Sequence, residues 1–135
     1  MALLSDLRTG IATNLATIPG LRTASYIPDN PNPPFAIVAP SSIDYHQTYH
    51  NGLSTYRFTV TLVVDRASER TAQTKLDAYC SPTGTASVMV AVESDKTLGG
   101  KAFDVVVSGM RNYGSISLGD QNYLAAEFDL VVQAD

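Results

Sequence analysis

The chain has 135 residues, 44% of them apolar and only 16% charged, with a net charge of −4. That length suits one domain, residues 1–135, with a real core, and the acidic balance argues against a nucleic-acid binder, which needs a basic face. A lone cysteine excludes an internal disulfide, the start MALLSDLRTG lacks the pattern of a signal peptide, and no stretch reaches the roughly 20 apolar residues of a membrane span.

These features set the expectation of a soluble protein made in a reducing cytoplasm. The charged fraction is also below the usual quarter of a globular protein, which points to a surface partly covered by partners.

Residues 3–18 carry Leu4, Leu7, Ile11, Leu15 and Ile18 at helical spacing, with Ser5 and Asp6 at the start and Pro19-Gly20 as a stop. They predict an amphipathic helix. LRTASYI reads as a first strand. Five of the seven prolines then fall between Pro28 and Pro40, which predicts a loop and makes the short FAIV an edge or entry strand.

IDYHQTYH and LSTYRFTVTLVVD flank Asn51-Gly52, a strong hairpin signal. A two-residue turn at Asn51-Gly52 sets Tyr45 opposite Phe58, Ile43 opposite Val60 and His46 opposite Arg57. Tyr56, Phe58, Val60, Leu62 and Val64 form the apolar face of the second strand.

SERTAQTKLDAYC switches to a helical period, with Ala72, Leu76, Tyr79 and Cys80 on one side and Ser68 as N-cap. SVMVAVESD predicts a second, short helix and LGG a turn. KAFDVVVSGM and NYLAAEFDLVV close the chain as strands, the last with Leu124, Ala126, Phe128, Leu130 and Val132 on one face. The order predicts an α+β fold: a mostly antiparallel β-sheet with amphipathic helices packed on one face.

The chemistry-bearing residues are few. His46 and His50 would share one face of a helix and hold a metal there, but on a strand they stand about 13 Å apart, too far for one ion. They read instead as the outer side of a half-exposed hairpin, either solvated or meeting a neighbouring subunit. Tyr and His suit partly wet interfaces. Tyr45, His46, Thr48, Tyr49, His50, Asn51 and Arg57 are the candidate interface residues.

Cys80 follows Tyr79 in line with Leu76 and reads as a small core residue rather than a nucleophile. Gly99-Gly100 lacks the Lys-Ser/Thr and helix of a phosphate loop. Glu127 and Asp129 share a strand face about 7 Å apart, a spacing glycosidase chemistry could use. Nothing aromatic or basic accompanies them, so they read as a solvated face or an acidic lining in an assembly. No catalytic set, metal site or cofactor site emerges.

The block LDAYCSPTGTASVMVAVESDKTLGG (76–100) and the closing YLAAEFDLVVQ (123–133) resemble the tail terminator, or tail completion, proteins of long flexible-tailed bacteriophages, especially those of actinobacterial hosts. The resemblance extends over nearly the whole chain in order and length. It implies a structural protein of the virion, made in the host cytoplasm, that forms a ring of six subunits on the head-proximal end of the tail tube. Its partners would be the tail tube protein and the head–tail connector or neck protein, with DNA passing through the lumen without specific binding and no membrane involved. The alternatives are a head-closure or neck connector protein of the same phage, or a small cytosolic enzyme or ligand-binding domain using His46, His50 or Cys80.

Overall fold

The computed structural model describes residues 4–18, 21–24, 35–45, 54–66, 71–100, 102–118 and 121–134. Helix α1 (Leu4–Leu15) leads to the short strand β1 (Arg22–Ala24), followed by β2 (Phe35–Asp44) and β3 (Ser54–Arg66). Two helices, α2 (Ala72–Cys80) and α3 (Val88–Val92), precede the strands β4 (Asp104–Leu118) and β5 (Gln121–Ala134). The strands form one sheet in the order β1-β2-β3-β5-β4. β1 runs parallel to β2, and every other neighbour pair is antiparallel. The fold is α+β.

Strand alternation places the core. Phe58, Val60 and Leu62 of β3 and Ala126, Phe128, Leu130 and Val132 of β5 project to one face and are buried there. The helices cover that face with Leu7, Ile11 and Leu15 from α1, Leu76 and Tyr79 from α2, and Val88 and Val92 from α3. Each fully buried Leu, Ile or Phe side chain contributes about 1.5–3 kcal/mol. A smaller cluster lies on the opposite face, where Phe35, Ile37, Val63, Tyr123 and Ala125 alternate with the core residues.

The hairpin register departs from the expectation. Ile43 faces Tyr56 rather than Val60, Phe58 faces Pro40 rather than Tyr45, and Ser42 rather than His46 lies opposite Arg57. The displacement near the turn is four residues. An even shift leaves every side chain on its expected face, so Ile43 and Tyr56 still point to the helix-covered side while their partners change. The bulge between Pro40 and Ser42 reconciles this end with the rest of β2, where Ala36 and Val38 pack into the same core. FAIV is accordingly the first part of a single ten-residue strand. The predicted Asn51-Gly52 turn lies outside the described residues.

Two further expectations change. The first strand spans three described residues rather than seven. The N-cap of α2 is Thr71, whose side chain makes no capping hydrogen bond, whereas Ser68 lies outside the described residues. The short helix α3 begins at the expected Ser87, whose Oγ accepts the Val90 N–H at 3.2 Å and donates to the Ser81 carbonyl at 2.5 Å.

One side chain joins the first helix to this region. Asn14 is buried, and its Nδ2 donates to the carbonyls of Val92 (2.9 Å) and Asp95 (3.0 Å) at the end of α3. Gly10, one turn earlier, permits the same approach, since a Cβ there would stand 2.8 Å from the Leu98 Cβ. Removing the amide leaves the buried Val92 carbonyl without this donor, while the Asp95 carbonyl keeps the Leu98 N–H at 3.2 Å, a loss of about 1–3 kcal/mol. Asn14→Ala is therefore expected to lower the unfolding free energy by that amount, read as a reduced urea midpoint with an unchanged slope of the transition.

Candidate functional site

Of the candidate interface residues, Tyr45 and Arg57 are described, near the end of β2 and the start of β3. Tyr45 follows the last residue of β2 and is 67% exposed. Arg57 lies on the outer face of β3, away from the helices, and its guanidinium forms an ion pair with Asp44. On the same face Thr55 Oγ1 donates to Gln133 Oε1 at 3.0 Å. His46, Thr48, Tyr49, His50 and Asn51 lie outside the described residues. Among the described residues, no three His, Cys, Asp or Glu side chains are placed to hold a metal ion.

Glu127 and Asp129 do share the outer face of β5, and Arg111 of β4 joins them. The Arg111 Nε donates to both oxygens of Asp129 at 3.1 and 3.0 Å, and a terminal nitrogen lies 3.4 Å from Glu127. Asn112, in left-handed backbone at φ 57°, donates from its amide to Glu127 Oε1 at 3.2 Å. The bulge between Arg111 and Gly114 supplies this turn of the chain. The sequence hid the pairing because Arg111 reaches the carboxylates across strands, through a register that bulges have altered.

Cys80 is half-buried against the core at the end of α2. Burial, and then the nearby Asp77 carboxylate, push its thiol up to about 11. It is protonated at neutral pH, the reverse of the depressed pKa that activates nucleophilic cysteines. Burial likewise raises the Tyr79 phenol.

The turn at 95–100 is a folded connection. The Asp95 carboxylate accepts from the Thr97 N–H, the Thr97 hydroxyl and the Gly99 N–H, which together hold its pKa below the ordinary value. Leu98, Gly99 and Gly100 all have positive φ, and the glycines take this without the Cβ penalty that Leu98 bears.

A surface missed by sequence reasoning lies along the β4 border of the sheet. Among the described residues seven large apolar side chains are exposed, and six of them sit on α3 or on β4 and its approach: Met89, Val90, Phe103, Val106, Met110 and Tyr113. The seventh is Tyr45. Two signals were present in the sequence. VMVAV is apolar on all sides of a helix, and AFDVVV is apolar at both parities of a strand, so neither can bury all its apolar atoms in one core. The backbone at this border is partly blunted, since Glu93 Oε2 accepts the Val107 N–H at 3.1 Å.

No protein-family model matches the chain, and no curated protein matches it. Among the described residues, no helix is long and apolar enough to cross a membrane.

The Cys80 shift has a sign that can be checked. Between its ordinary 9.0 and about 11, the folded chain keeps a proton that the unfolded chain has released. The stability this group provides is complete below 9.0 and is lost as pH rises through the folded value. Urea unfolding at neutral pH and at about pH 10 is expected to show a loss at high pH that is smaller in Cys80→Ala. The raised Tyr79 remains in both proteins and cancels in the comparison.

Proposed function

We propose that the chain is a structural subunit of a phage tail, a terminator that assembles as a ring on the head-proximal end of the tail tube. The observation that carries this reading is the placement of exposed apolar surface. One patch lies along the α3–β4 border, and a chemically different one, with Tyr45, Arg57 and Asp44, lies at the end of the β2–β3 pair. A ring requires two unlike patches on each subunit, one meeting the other on the next copy.

The sheet order supports the same arrangement. β4 forms one border. At the other, β1 pairs among the described residues with Phe35–Ile37 of β2. β4 also runs opposite to β2 within the sheet, so a copy set beside another in the same sense meets it antiparallel.

The resemblance noted for residues 76–100 and 123–133 supplies the identity of the ring. Those residues build the second half of α2, α3, the turn at 95–100 and most of the interior strand β5, the parts that set where the β4 border lies. In this reading the ring binds the tube end with one surface and presents a different surface to the head connector, which stops growth. Carboxylates facing the lumen would repel DNA phosphates. Arg111 neutralises part of the acidic face formed by Glu127 and Asp129.

Light scattering on size-exclusion fractions over a wide concentration range tests the proposal. A species near six chains is expected. The substitutions Val106→Glu and Met110→Glu, both at exposed positions, should reduce it to monomer with unchanged circular dichroism, and so should deletion of residues 44–52. A monomer at every concentration, with or without tail tubes, would overturn the reading.

A further inference from the structure

We propose that the groove between α1 and the β1–β2 border binds a carboxylate carried on a short aliphatic stem. This inference is independent of the ring reading. The groove has a volume of about 340 Å³. Ala12, Ala16 and Val38 give it apolar walls, and Arg8 and the threonines Thr9 and Thr23 give it a polar rim. A mostly apolar concavity with a few polar groups is the general form of a small-ligand site.

Arg8 supplies the chemical selectivity. Its Nε is buried without a hydrogen-bond partner. A guanidinium N–H withdrawn from water and given no acceptor is a standing cost to the fold, larger than for a neutral donor. The Nε and a neighbouring terminal nitrogen form the fork that matches the two oxygens of a carboxylate. The arginine stem has several rotatable bonds and an open groove beside it. Turning toward a bound carboxylate exchanges an orphaned donor for a two-point ion pair.

The charge environment agrees with a monoanion. Arg8 is the one charged group among the described residues lining the groove. A second groove, of about 300 Å³ on the other side of α1, shares Thr9 and Thr13 but carries Asp6 and Asp95. It would repel the same ligand. The two sides of one helix therefore differ in sign, and a carboxylate has one side to choose. A single cation suits one negative charge better than the two of a phosphate ester, and the alanine and valine walls favour an aliphatic stem.

The test is an NMR titration of the intact ¹⁵N-labelled chain at constant ionic strength, following the Arg8 Nε–H and the amides of Thr9, Ala12 and Thr23. Sodium butyrate is the free-acid probe, and acetyl-Ala-Glu-Ala-amide presents the same carboxylate on a peptide. Saturable shifts confined to these residues are expected with at least one of them. The tighter of the two identifies the source as a small acid or a partner's glutamate. Affinity should fall about tenfold or more in Arg8→Met, the effect of losing a charge-assisted pair.

Ala16→Leu, at an exposed position, fills the groove and should weaken binding even if Arg8→Met proves unstable. Three results would each overturn the site: shifts reproduced by sodium chloride, binding unaffected by both substitutions, or inorganic phosphate binding more tightly than either carboxylate.

Discussion

The five-residue helix α3 is the element on which the arrangement turns. A helix of that length does not persist alone, because its nucleation cost is spread over too few hydrogen bonds. Its two ends are held from outside. Ser87 closes the start and ties it to the end of α2, while Asn14 reaches across from α1 to the carbonyls at the finish. One buried amide thus fixes the position of α1 relative to the second half of the chain. With α1 fixed there, Leu7, Ile11 and Leu15 reach the sheet, and the turn at 95–100 delivers the chain to the start of β4.

That junction also decides which surfaces remain for partners. α3 lies beside β4 and gives it Glu93 as a cap on the Val107 N–H. Met89 stands one helical turn before Glu93, so it projects toward the same border. The apolar atoms of α3 that the core does not use thus lie on the same face as Met110, which stands opposite Phe128, whereas Val106 stands opposite Val131 on the outer face. On the outer face, by contrast, two sets of charges are paired within the chain: Asp44 with Arg57, and Glu127 and Asp129 with Arg111.

Serines at the bulges shape that outer face. Ser41 Oγ donates to the Arg57 carbonyl at 3.1 Å, and Ser108 Oγ to the Asp129 carbonyl at 3.0 Å. Both lie where the register shifts, one on β2 and one on β4, on opposite sides of the β3–β5 pair. Each hydroxyl supplies a donor where the ladder has been interrupted, so the strands bend without leaving those carbonyls unpaired.

Periodicity is a property of the chain itself, and it determined much. The stripe on α1, the buried side of α2 at Leu76 and Tyr79, the alternate residues of β5 and the faces of β3 were all legible, because each element must turn its apolar side to a core wherever that core lies. The α+β class followed from their order. Which residue faces which was settled only by tertiary structure. Asn51-Gly52 is a local signal, while the register of Ile43 opposite Tyr56 answers to the packing of whole strands against the helices, with a bulge near Ser41 absorbing the difference.

The same limit applies to Arg111 between Glu127 and Asp129, to the exposed apolar residues along β4 and to the groove at Arg8. Each depends on residues far apart in the chain brought together by pairing, and sequence spacing carries no record of distances across a sheet.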